Sequence, residues 1–98
     1  MDVTKKQNGS ELFIEVSGSI DTVTAPELNK ILNESLKGIN SLIFDFANVD
    51  YISSAGLRVL LAARKSIAKD GSVVIRNSNQ NILDIFTMTG FDNILTIE

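Results

Sequence analysis

The run Leu42-Ile43-Phe44-Asp45-Phe46 places apolar side chains at odd and even positions alike, and a strand built this way calls for cover on both faces. It fits the central strand of a mostly parallel sheet, with helices expected on its two sides. Parallel neighbours need long crossover connections, so helical segments should alternate with strands along the chain.

The local signals support that alternation. Asn8-Gly9 separates two strand-like stretches and suits a type I′ hairpin turn with positive φ at both central positions, so the first two strands should be antiparallel. In the second strand Leu12, Ile14 and Val16 alternate with Glu11, Glu15 and Ser17, while Phe13 interrupts the polar face and implies partial cover. A helix start is marked at Thr24 by the capping-box spacing of Thr24 and Glu27, by Pro26 in the first turn, and by Val23 with Leu28 as a hydrophobic staple. Leu28, Ile31, Leu32 and Leu36 then share one face and Gly38 supplies the stop, which predicts a helix over residues 25–37.

Beyond a loop from Ala47 to Ser53, the pattern Leu57, Leu60, Leu61 and Ile67, with Lys65 and Lys69 late, predicts a second helix ended by Asp70-Gly71. Val73-Val74-Ile75 reads as the fourth strand. Ser78 or Asn79 can cap a short third helix carrying Ile82, Ile85 and Phe86, with Met88 and Phe91 beside Gly90 as core or cap contacts. Ile94-Leu95-Thr96-Ile97 closes the chain as a fifth strand. The fold expected is a single α/β domain over residues 1–98, ordered β-β-α-β-α-β-α-β. Its five-stranded sheet is mixed but mostly parallel, with helices packed on it. Right-handed crossovers would run strands 2 to 5 one way and strand 1 against them.

Such a topology brings the loops after strands 2, 3 and 4 to one end of the sheet, where open α/β folds place their sites. Those loops carry Asp21-Thr22, Ser53-Ser54 and Asn77-Ser78, which should form one polar rim.

Composition narrows what that rim can do. The chain has no His and no Cys, so a serine there lacks its usual base, and a zinc or thiolate site lacks its usual ligands. Lys65 and Lys69 lie too far along the second helix to serve Ser54 as a base, at about 1.5 Å rise per residue. No Gly-x-x-x-x-Gly-Lys loop offers a nucleotide phosphate site. A net charge of −3 and a sequence pI near 4.8 argue against nucleic acid or an anionic membrane as partner. No apolar run approaches the roughly 20 residues needed to span a bilayer, and Met1 to Gln7 has no apolar signal core. A cytoplasmic binding module with a protein partner, and not an enzyme, is the class that remains, with no catalytic residue, metal or cofactor of its own.

Within the segment Asp50-Tyr51-Ile52-Ser53-Ser54-Ala55-Gly56-Leu57-Arg58, either serine can act as a helix cap. Asp21 reads equally as a turn former or a contact residue, and Arg58 as solvated or as a contact. The wider pattern resembles STAS domains of the bacterial anti-sigma-factor antagonist type. It carries the apolar strand with Asp45, then Ser53-Ser54-Ala55-Gly56-Leu57, then an apolar helix. Gly18-Ser19-Ile20-Asp21 is similar to the family's Gly-x-Leu-Asp motif, and Ile85-Phe86 through Thr89-Gly90-Phe91 to its Leu-Phe…Gly-Leu segment.

The resemblance implies partner switching. The family's phosphoacceptor stands two positions before the Gly of the Gly-Leu pair, which is Ser54 here, with Ala55 between; where many members have Asp just before the acceptor, this chain has Ser53. It implies a monomer when free, whose partner is an anti-sigma factor with GHKL-type serine kinase activity. A PP2C-type phosphatase would reverse the mark. The partner-binding set expected on this basis is Asp21, Thr22, Ser53, Ser54, Ala55, Gly56 and Arg58. The same fold family also suggests a second class, a structural STAS subunit docked on the ATPase of an ABC-type lipid transporter without phosphorylation.

Overall fold

In a computed structural model describing residues 1–98, the strands are β1 (Asp2–Asn8), β2 (Glu11–Ile20), β3 (Ser41–Ile52), β4 (Ser72–Arg76) and β5 (Thr96–Ile97). The helices are α1 (Ala25–Ser35), α2 (Ser54–Ser66) and α3 (Gln80–Thr89), and a 3-10 turn spans Phe91–Asn93. The sheet order is β1-β2-β3-β4-β5, with β1 antiparallel to β2 and every other pairing parallel. No helix is long and apolar enough to cross a membrane.

Because β2 to β5 follow one another in space as in sequence, three right-handed crossovers all place their helices on the same face of the sheet. This corrects the expectation of cover on both sides of β3. The core of 24 residues takes Leu12, Ile14 and Val16 from β2, Leu42, Phe44 and Phe46 from β3, and Val73 and Ile75 from β4, with Leu28, Leu32, Leu60, Ile82 and Phe86 from the helices. Phe13, Ile43 and Val74 stand side by side on the opposite face; Ile43 is buried by its neighbours while Phe13 and Val74 are half-exposed. The apolar run of β3 is therefore served by one helix layer and by its own flanking strands.

Several local expectations change. In the β1–β2 hairpin Asn8 pairs with Glu11, so the turn's central residues are Gly9 and Ser10, and only Gly9 has positive φ (+62°). That sign pattern belongs to a type II′ turn, for which glycine is the favoured first residue. The α1 helix ends at Ser35, earlier than expected. Asn79 rather than Ser78 caps α3, its Oδ1 accepting from the Ile82 N–H at 2.9 Å. Ile94 and Leu95 lie outside β5, in the bend that follows the 3-10 turn, where both of their N–H groups donate to the Phe91 carbonyl. Phe91 stacks on Phe86 (centroids 6.5 Å apart), whereas Met88 is 84% exposed and makes neither of the expected core or cap contacts.

The strand β3 continues through Ile52, where a loop from Ala47 was expected. Between Glu15↔Asp45 and Ile20↔Ile52, β2 advances five residues and β3 seven, so β3 carries two extra residues as bulges. This extension carries the end of β3 far past the end of β4.

Candidate functional site

The site begins where β2 and β3 leave the sheet together. Ile20 pairs with Ile52, and the Ser53 N–H donates to the Ile20 carbonyl at 2.8 Å, so Asp21 and Ser53 start their two connections side by side. Asn77-Ser78 does not join them. Arg76 pairs with Asp45, and Asn77 Nδ2 donates to Asp45 Oδ1 at 3.2 Å. The Ser53 end lies five β2 residues further on, roughly 17 Å at about 3.3 Å per residue. The rim is stepped, and only two of its three predicted loops meet. Asn79 bridges the step, its Nδ2 donating to the Val49 and Asp50 carbonyls at 3.2 and 3.3 Å.

Asp21 is committed to the β2–α1 turn. Its Oδ1 accepts from the Val23 and Thr24 N–H groups at 2.9 and 3.0 Å, while its own N–H donates to Thr24 Oγ1 at 2.9 Å. This is a reciprocal box one turn earlier than the predicted Thr24–Glu27 pair. Thr24 makes no side-chain cap to α1, its hydroxyl donating instead to the Ser19 carbonyl at 2.7 Å. Val23 is 84% exposed and forms no staple. The Thr24 N–H outweighs the desolvation that opposes it and, with the Val23 N–H, the Thr24 hydroxyl that is shared between Ser19 and Asp21 Oδ1 (3.2 Å), and the amino terminus, holds the Asp21 carboxyl below its ordinary value.

The two serines divide their labour. Ser53 is the N-cap of α2, with extended backbone (φ −93°, ψ 176°) and Oγ accepting from the Gly56 N–H at 3.4 Å. Ser54 is the first helical residue, exposed, and its hydroxyl makes no hydrogen bond within the protein. Gly56 faces inward: a Cβ there would meet Ile52 Cγ1 at 2.7 Å, Ile20 Cγ2 at 2.8 Å and the Ile20 carbonyl at 3.0 Å. In the sequence the small pair Ala55-Gly56 reads as keeping the approach to the Ser54 hydroxyl sterically open, but Gly56 instead seats α2 against the strand ends. Arg58, one turn along, is exposed and has no carboxylate partner; the single ion pair of the protein is Arg76–Glu98.

Between the first turns of α1 and α2 runs an open groove. Thr22, Ala25, Pro26 and Asn29 form one wall; Ala55, Arg58 and Val59 form the other. Thr22, Ala55 and Arg58 belong to the expected set, while Ala25, Pro26, Asn29 and Val59 went unpredicted. Their spacing was the available signal, since 25/29 and 55/59 are i,i+4 pairs, each on one helical face. Tyr51, half exposed, adds an aromatic side chain at the end of β3. No three His, Cys, Asp or Glu residues gather to hold a metal.

Comparison with known proteins supplies the family context. The sequence model of the STAS domain matches residues 2–98. A curated relative, the anti-sigma-B factor antagonist of Bacillus subtilis, is 29% identical over 98 residues, covering 99% of this chain and 90% of the relative. The crystal structure of an anti-sigma factor antagonist from Mycobacterium paratuberculosis superposes with a TM-score of 0.88 at 23% identity, covering 98% of this chain and 83% of that one. The Bacillus cell fate determinant SpoIIAA in its phosphorylated form gives a TM-score of 0.76 at 13% identity, covering 99% and 91%.

Proposed function

The chain belongs to the STAS domain family, and from that premise we propose that it is an anti-sigma-factor antagonist inactivated by phosphorylation of Ser54. In its unmodified form it binds an anti-sigma factor that is also a GHKL-type serine kinase. Phosphorylation ends the complex, and a PP2C-type phosphatase restores the hydroxyl.

The observation that carries this reading is the division between the two serines. Ser53 caps α2, so Ser54 Oγ is exposed and unbonded, and its modification breaks no internal hydrogen bond. Phosphate adds about −1.5 to −2 charges and three acceptor oxygens at that point. The amino end of α2 favours this charge by roughly 0.3–1 kcal/mol, so the free domain tolerates it. The penalty falls on the complex, where a hundredfold loss of affinity needs only about 2.7 kcal/mol. The chain is the substrate of the transfer; the kinase supplies ATP, metal and proton acceptor, because phosphoryl transfer rests on positioning and charge neutralisation.

A capture experiment with wild type and Ser54→Asp as baits tests the switch. Wild type retains an anti-sigma factor of the GHKL class, and Ser54→Asp binds it at least about a hundredfold more weakly. Equal retention by both baits overturns the reading. Capture of a transporter ATPase by wild type and Ser54→Ala alike would assign the structural-subunit role instead.

A further inference from the structure

Arg58 lies four residues after Ser54 on α2, and i,i+4 side chains are neighbours on one helical face, about 5–6 Å apart at Cβ. Helical side chains lean toward the amino end, so Arg58 covers the turn that contains Ser54. It also lines the groove with Thr22 and Ala55, while Ser54 stands outside that lining, so the side chain lies between the two. It is exposed and has no ion-pair partner.

We propose that Arg58 is the residue through which phosphate on Ser54 is read: the phosphoryl group takes the guanidinium in cis and withdraws it from the α1–α2 groove. In the unmodified protein that guanidinium stands in a groove whose lining is apolar at Ala25, Pro26, Ala55 and Val59 and polar at Thr22 and Asn29. A partner segment presenting an apolar side chain beside a carboxylate fits it. Phosphorylation then supplies a competing anion on the same helix, already in place, and the bidentate match of guanidinium to phosphate favours the internal pair. The inference rests on the phosphorylation proposed above, and it adds the group whose capture ends binding.

The test places phosphoserine at position 54 by genetic encoding, so that no kinase is required, and follows the phosphate by ³¹P NMR between pH 4 and 8. A nearby cation favours the dianion and lowers its second pKa from about 6. Wild type should titrate at least about half a pH unit below Arg58→Gln, and Arg58→Lys should keep part of that lowering. Asp2, Asp21, Glu27, Asp50 and the amino terminus, the other charges at this end of the domain, are the same in all three proteins. Coincident titrations of wild type and Arg58→Gln overturn the inference. In parallel, unphosphorylated Arg58→Gln should bind the anti-sigma factor at least about tenfold more weakly than wild type. A cis pair seen by NMR in a protein that binds no anti-sigma factor sinks the functional reading alone. Normal switching with coincident titrations sinks only the role of Arg58.

Discussion

Replacing Gly56 by alanine adds one methyl group, and its surroundings set the cost. The new Cβ would lie 2.7 Å from Ile52 Cγ1 and 2.8 Å from Ile20 Cγ2, both on fully buried side chains at the ends of β3 and β2. The third contact, the Ile20 carbonyl at 3.0 Å, is backbone and already accepts from the Ser53 N–H. None of these neighbours can rotate away, so α2 must lift from the sheet or the Ser53–Ile20 bond must stretch. Overpacking of this kind costs about 1–3 kcal/mol, against a helix-propensity gain of at most about 1 kcal/mol for Gly→Ala. With three contacts at or inside 3.0 Å the upper part of that range, about 2–3 kcal/mol, applies, so the net loss is about 1–2 kcal/mol, a fall in Tm of roughly 4–16 °C for a domain of this size. Urea unfolding should show a lower midpoint with an unchanged slope. A Gly56→Ala protein as stable as wild type, or more stable, would refute the close seating of α2 from which the placement of Ser54 follows.

Two further expectations concern the turns that build the site. Ser53→Ala should cost about 0.5–1 kcal/mol by urea unfolding, at the low end for a cap because its bond to Gly56 is long, whereas Ser54→Ala should stay within about 0.5 kcal/mol of wild type; equal costs would remove the distinction between the two hydroxyls. For Asp21 the folded pKa lies below the unfolded value, so its contribution is complete above the ordinary carboxylate range and is lost as pH falls through the lowered pKa. Wild type should therefore lose more stability than Asp21→Asn as pH drops below about 4, and parallel stability curves for the two would contradict the assigned hydrogen bonds.

The element order and strand directions were legible because each rests on short-range signals: the Asn8-Gly9 hairpin, the period of α1, and the stops at Gly38 and Gly90. The end of β3 was not, because two extra residues break the period of two across Ala47-Asn48-Val49-Asp50, and a bulged strand with polar residues reads as a loop. At the start of α1 the residues Asp21, Thr24 and Glu27 offer two overlapping boxes of equal spacing. The backbone following Ile20 selects the first, a choice fixed by tertiary geometry. Ser54 was marked by a family pattern, but its freedom depends on Ser53 taking the cap, and either serine satisfies the capping preference in sequence. Gly56 looked permissive for the same reason: what it accommodates is Ile20, distant in the chain and brought close only by the parallel pairing of β2 with β3.

The central claim is that Ser54 Oγ accepts phosphate from the kinase partner. Incubation of the purified protein with that partner and ATP, followed by intact mass and fragment mapping, tests it most directly. One phosphate per chain, located on Ser54 and absent from Ser54→Ala but retained in Ser53→Ala, is the result expected. A chain that stays unmodified, or that carries its phosphate on Ser53 or elsewhere, would contradict it.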